Sequence, residues 1–385
     1  MSNNSQQHQM LPSPIHDESS RQDFVRDFRY HLSTSVYPGN FLAYKERVAP
    51  TFHKTNGRPP DNRHEVRKVM TRDPYYQMWS AMQRNSQELM WDAVIDTVER
   101  ELPDLIEKSK SKSNSKSKLG SLALNSALEI PSYLTSYDIH LHPGSYHLEM
   151  MEGDVAAGAI YDTSLPIYAM GSLGPLNDDL GWTTVDHYVS RYPKREPARV
   201  LDMGCTIGHS TLPWAQHFPE ADVHAIDVGA ACLRYAHARA HTLDVTVHFS
   251  QQNAEFTKFE ANSFDVITSH FFMHETSRSA LPNIFAECYR ILKPGGVMLH
   301  LDLEQDHDLD ALTSFLMEWE VYNNNESFMG QLRSLDLPAI ALTAGFPQDK
   351  VERAVQASRM SKAASAQTED GYVNFFSWPI FVAEK

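Results

Sequence analysis

Val200-Leu201-Asp202-Met203-Gly204-Cys205-Thr206-Ile207-Gly208-His209-Ser210 is the stretch on which the fold turns. The apolar run Val200 to Met203 has the length of a buried strand and stops at a turn carrying Gly204 and Gly208. Two glycines there let the chain pass tightly from strand to helix and bring backbone N–H groups close to a ligand. Asp202 stands at the strand's end, where a carboxylate favours a cationic ligand portion and repels a pyrophosphate. A dinucleotide site would want G-x-G-x-x-G, whereas position 206 is threonine and no third spaced glycine follows.

Outward from this loop, Val223 to Ile226, Val245 to Phe249, Val266 to Ser269 and Val297 to Leu303 read as further strands. Thr211 to His217, Ala230 to His241 and Pro282 to Leu292 read as the helices between them. Strand and helix in alternation predict an α/β domain, a doubly wound, mostly parallel sheet covered on both faces. Ligands of such sheets bind beyond the carboxyl ends of the strands. Asp227 closes the second strand roughly 20 residues beyond Gly208, the place from which an acid accepts hydrogen bonds from ribose hydroxyls. It could equally cap the helix starting near Gly229. Asn253-Ala254-Glu255 follows the third strand, where an adenine would lie, and Leu292-Lys293-Pro294-Gly295-Gly296 stops the helix before the fifth strand.

The ordered series Asp-x-Gly-Cys-x-x-Gly, Asp227, Asn-Ala-Glu, Phe264-Asp265-Val266 and Leu-Lys-Pro-Gly-Gly resembles the class I S-adenosylmethionine-dependent methyltransferases, in particular their small-molecule group. The resemblance covers about Arg199 to Asp302, and Ala344-Gly345-Phe346 looks like the segment before that family's terminal strand hairpin. It implies a Rossmann-like methyltransferase fold with S-adenosyl-L-methionine as cofactor. Asp202, Gly204, Cys205, Thr206 and Gly208 would then hold the methionine part, Asp227 the ribose, and Asn253 with Ala254 the adenine. Thr206 departs from the glycine that the family often has there.

Methyl transfer from a sulfonium is an in-line displacement of an already activated group, so positioning supplies much of the rate. A hydroxyl or ammonium acceptor must also lose a proton, a task that suits a histidine. His274 and His270 lie just past the fourth strand; His274 is the expected base and Glu275 its orienting partner. In Tyr137 to His147, an extended chain would put His140 and His142 on one face. The usual zinc spacings are absent, so no metal is expected. His140, His142, Tyr146, Tyr161 and Tyr168 are instead expected to line the acceptor pocket. Trp319 and Tyr322, in an enlarged aromatic and amide segment, are expected to form a lid over it.

The chain of 385 residues exceeds one ordinary domain. Polar residues 1–20 are expected to be a disordered lead-in, residues 21–107 a helical N-terminal region and residues 119–197 a bridge into the pocket. The methyltransferase domain is expected over residues 198–385. Within the helical region, apolar residues recur at helical spacing from Asp73 to Ile106, with Asp73 as cap, Pro74 at the first position and Pro103 as a candidate break. The Lys/Ser alternation from Lys108 to Lys118 reads as an exposed linker. With 49 acidic against 34 basic residues and a charge of −15, the composition argues against nucleic acid as substrate. Three scattered cysteines suit a reducing compartment. No secretory signal or long apolar run is present, so a cytoplasmic location without membrane contact is expected. A monomer and a homo-oligomer are both compatible with the sequence. The expected partner is a small-molecule methyl acceptor in secondary metabolism, methylated on oxygen or nitrogen. A nicotinamide-dependent dehydrogenase and a non-catalytic cofactor-binding scaffold stand as alternatives.

Overall fold

A computed structural model describes residues 8–113, 119–303, 309–360 and 377–385. Eight strands form one sheet: β1 (Ser121–Ala123), β2 (Arg199–Met203), β3 (Asp222–Asp227), β4 (His248–Gln251), β5 (Phe264–His270), β6 (Leu292–Leu301), β7 (Val351–Ala357) and β8 (Ser377–Glu384). Their order is β1-β4-β3-β2-β5-β6-β8-β7. Neighbours from β1 through β6 are parallel, and β8 runs antiparallel to both β6 and β7. The order reverses at β2, whose Asp202 is registered between Ala225 of β3 and Thr268 of β5. That crevice at the strands' carboxyl ends is where an open α/β sheet binds ligand.

Successive side chains of a strand point to opposite faces, and here both faces are buried. Val200, Val223, Val266 and Val297 pack with Trp214 and Leu233 on one side. Leu201, Met203, Ile267 and Met298 pack with Ile284 and Phe285 on the other. Each such side chain contributes roughly 1.5–3 kcal/mol by leaving water. This is why the strands read as continuous apolar runs.

The N-terminal region is helical, with helices His16–His31, Ala49–Asn56, Arg63–Met70 and Pro74–Ser113. Asp73 caps the last of these, its Oδ1 accepting from the Tyr75 N–H at 2.9 Å. Pro103 does not end this helix. The ring sits on the exposed side of the helix, while Leu105 and Ile106 stay buried beyond it.

Three boundary expectations need correction. The Lys108–Lys118 tract is not a linker throughout, because residues up to Ser113 continue the helix and buried Ser109 donates to the Arg234 carbonyl at 3.3 Å. Residues 114–118 lie outside the described residues, as do residues 1–7 of the expected lead-in. The rest of that lead-in is ordered: Met10 is fully buried, and His8 lies 3.0 Å from Asp162. Residues 119–197 are more than a bridge. They supply the edge strand β1 and the helices Ala156–Tyr168 and Asp179–Arg191, the latter packing on the sheet.

Candidate active site

One cavity of about 460 Å³ runs from the β2 turn to the N-terminal helices. At its β2 end, Gly204 has φ +70 and Gly208 φ +73. A Cβ at Gly204 would lie 2.3 Å from the Phe272 ring, so no other residue fits there without displacing that ring. Gly208 does not itself line the cavity; its N–H donates to the Cys205 carbonyl at 2.7 Å and shapes the turn. Between the glycines, Thr206 is held at φ +48, a conformation a β-branched residue rarely adopts.

Asp227 fixes Thr206. One carboxylate oxygen accepts from the Thr206 N–H at 2.9 Å and the other from the Gly229 N–H at 2.8 Å. Burial raises its pKa against these N–H donors. Each oxygen keeps a second acceptor site for a hydroxyl. Asp202 accepts from the Thr211 hydroxyl at 2.5 Å through Oδ2, while its Oδ1 is buried without a hydrogen-bond partner, 3.4 Å from the His270 Nδ1. Asp202, Gly204, Cys205, Thr206, Asp227, Asn253 and Ala254 all line the cavity. An orphaned carboxylate oxygen at one end and an acid with spare acceptor capacity at the other fit a ligand with a cationic tail and a ribose, as S-adenosylmethionine has.

The other end holds a second cluster. His140 sits in the turn Ile139–Leu141 rather than an extended strand, with φ +56 followed by +59 at Leu141. His140 and His142 therefore do not share a face. His142 is fully buried behind the cavity, packed at a tilt against Trp91 with ring centroids 4.7 Å apart, and burial pushes its pKa down to about 3. The His140 ring reaches the cavity, with Nδ1 2.5 Å from the Tyr146 hydroxyl. Its Nε2 lies 3.1 Å from Glu326 and 3.2 Å from Glu275. Burial opposes charge on this ring, but Glu275 and Glu326 outweigh it and push the pKa up to about 9.

His274 joins the same cluster. Its partner is Asp302, not the expected Glu275: Nδ1 lies 2.6 Å from Asp302, and Nε2 lies 3.5 Å from Glu275 and 4.0 Å from Glu326. Burial again opposes charge, yet Asp302 and then Glu275 hold the pKa well above its ordinary value. His270 lies apart beside Asp202, its Nε2 2.9 Å from the Thr184 hydroxyl.

Tyr146, Tyr161 and Tyr168 line the cavity beside this second cluster. Trp319 and Tyr322 do not. Trp319 is buried against Trp79 and donates to the Ser80 hydroxyl at 2.8 Å, and Tyr322 lies on the surface beneath the Arg67 guanidinium. Glu326, from the same segment, enters the site in their place. Asp302 lies at the carboxyl end of the fifth predicted strand, one residue before its last, a position that points at ligand in this fold; nothing in the spacing marks Glu326.

Residues 200–296 match the family described as Methyltransferase domain. The ubiquinone/menaquinone biosynthesis C-methyltransferase UbiE of Dinoroseobacter shibae is 31% identical over 113 residues, 29% of this chain and 44% of that protein. Phosphoethanolamine N-methyltransferase 3 of Arabidopsis thaliana is 32% identical over 32% of this chain and 24% of its own. Trans-aconitate 2-methyltransferase of Deinococcus radiodurans is 34% identical over 30% of this chain and 42% of its own. Among solved structures, phosphoethanolamine N-methyltransferase 2 of Haemonchus contortus aligns at 21% identity and a TM-score of 0.40, over 53% of this chain and 52% of that one. The chain thus spans about half or less of these relatives' lengths. Residues 200–296, which include the β2 turn, are the part of the chain that matches a class I S-adenosylmethionine-dependent methyltransferase domain.

Proposed function

We propose that the whole chain is a methyltransferase that moves a methyl group from S-adenosylmethionine to an oxygen or nitrogen of a small organic molecule, of the kind handled in secondary metabolism. The observation that carries this reading is one continuous cavity, with the Asp202–Asp227 cradle at one end and three tyrosines and the His140–His274–Glu275–Glu326 cluster at the other. The cofactor, when bound, supplies a methyl group activated by the positive sulfur. Asp202 meets the cationic tail, Asp227 the ribose, and Asn253 with Ala254 the adenine. Tyr146, Tyr161 and Tyr168 enclose the acceptor, and the His–Glu cluster holds its polar group. His270 stands beside Asp202, near the methyl-donating end.

A small acceptor fits the net charge of −15 and a cavity walled by the N-terminal helix through Gln87, Met90 and Trp91. No helix among the described residues is long and apolar enough to cross a membrane, which accords with work in the cytoplasm. The test is incubation with methyl-labelled S-adenosylmethionine and a metabolite extract, followed by identification of what becomes labelled. Labelled small molecules support the reading. Tight cofactor binding with no labelled product in any extract points to a non-catalytic scaffold.

A further inference from the structure

We propose that His140, His274 and Glu326, with Glu275 beside them, bind a divalent transition-metal ion of the zinc type in the acceptor end of the cavity. Donor atoms that share an ion at bond lengths of about 2.0–2.2 Å lie roughly 3–4 Å from one another. His140 Nε2 is 3.1 Å from Glu326 and 3.2 Å from Glu275, and His274 Nε2 is 3.5 Å from Glu275 and 4.0 Å from Glu326. One ligand atom from each of His140, His274 and Glu326 can be chosen so that all lie within 4.8 Å of one another.

The outer nitrogens are arranged as metal-bound histidines require. A ligating imidazole is oriented by a partner on its other ring nitrogen, most often a carboxylate or carbonyl. Asp302 occupies that place on His274 at 2.6 Å, and the Tyr146 hydroxyl on His140 at 2.5 Å. Both Nε2 atoms are thereby turned toward the carboxylates. The Glu275 Oε1 is buried and makes no hydrogen bond, although it is within 3.5 Å of both rings. An unsatisfied buried carboxylate oxygen calls for an ion or a water. Three carboxylates around two imidazoles also give the cluster the negative balance that a dication would offset.

Imidazole ligands favour zinc, iron, copper and nickel over magnesium and calcium, and a two-histidine, one-glutamate set is one that zinc enzymes use while keeping a position open. Here that position would face the cavity and take the acceptor's oxygen or nitrogen, a role that rests on the methyltransferase reading above. The binding of the ion does not.

The experiment uses the full chain. Protein purified without chelator is assayed for metals, then stripped and titrated with Co²⁺, whose visible absorption reports nitrogen and oxygen ligation, with Zn²⁺ as competitor and Mg²⁺ as control. S-adenosylhomocysteine affinity is measured in parallel by calorimetry. The expected result is about one ion per chain, a Co²⁺ spectrum displaced by Zn²⁺ but not by Mg²⁺, and at least a tenfold loss of Co²⁺ affinity in Glu326→Gln and His140→Ala. S-adenosylhomocysteine affinity should change less than about threefold, certifying that these variants are folded. Wild-type protein that shows neither a bound ion nor a Co²⁺ spectrum overturns the proposal, as does a spectrum unchanged in folded variants. If the variants do not fold, the wild-type measurements alone decide. Loss of cofactor binding with the ion retained would sink the methyltransferase reading and leave the metal site standing.

Discussion

The Trp91 indole N–H donates to the carbonyl oxygen of His140 at 2.9 Å, joining the long N-terminal helix to a turn 49 residues away. The Gln87 amide donates to the same oxygen at 3.0 Å. His140 and Leu141 are both left-handed, a strained pair that persists only because its surroundings over-determine it. The helix therefore sets where the His140 ring points. Trp91→Phe keeps an aromatic ring against His142 but removes the donor. It should cost about 1 kcal/mol in urea unfolding and lower turnover, with S-adenosylhomocysteine affinity unchanged. Unchanged turnover would show that the turn holds without the helix.

Asp227→Ala should weaken S-adenosylmethionine and S-adenosylhomocysteine roughly 5- to 150-fold by calorimetry, since a lost partner costs about 1–3 kcal/mol. Asp227 also holds the Thr206 and Gly229 N–H groups, so Asp227→Asn, which can still accept one of these bonds, should recover part of the loss. Equal binding by wild type and Asp227→Ala would take this residue out of the site.

Thr206→Gly should stabilise the protein. Relief of a left-handed β-branched residue is worth about 1–2 kcal/mol, against about 0.5–1 kcal/mol for glycine's extra chain entropy. Cofactor affinity should be kept, because the backbone N–H that orients Asp227 remains. A fall in melting temperature would mean that the threonine side chain makes a contact worth more than the strain.

Stability should depend on Glu18 in a defined acidic window. The Arg100 guanidinium, 2.7 Å away, holds this carboxyl down at about 2 from an ordinary 4.5, burial opposing and the Ile15 N–H and Thr97 hydroxyl assisting. The folded pKa is depressed, so the contribution is full above 4.5 and fades as the pH falls toward 2. Glu18→Gln should therefore be less stable than wild type by about 1 kcal/mol at neutral pH, a value reduced for the solvent around Arg100. Denaturation curves should converge as the pH approaches 2. A gap independent of pH would assign the loss to packing.

The parallel strands were legible because a strand buried on both faces is apolar at every position, as Val200 and Leu201 are. The third was placed early: Val245 and Val247 are buried in the chain leaving the preceding helix, and pairing starts only at His248. Ser121–Ala123 has neither length nor alternation to announce a strand, and it owes its state to its pairing with His248–Ser250. The cofactor cradle is local in sequence, so motif spacing reaches it. The second cluster draws on residues 140, 274, 302 and 326, which only the tertiary fold brings together. Trp319 and Tyr322 misled because an aromatic residue beside amides packs in a core or on a surface as readily as in a pocket.

Both ends of the N-terminal helical region are anchored to the domain beneath it. At the start, Met10 is buried, its carbonyl 3.0 Å from the Tyr235 hydroxyl, and His8 meets Asp162; near the end, Ser121–Ala123 is woven into the sheet edge. A segment fastened at two points cannot swing open on one hinge like a hatch. Under the proposed methyltransferase reading, exchange of product for substrate would then rely on side-chain rotation and small loop displacements around this doubly anchored frame.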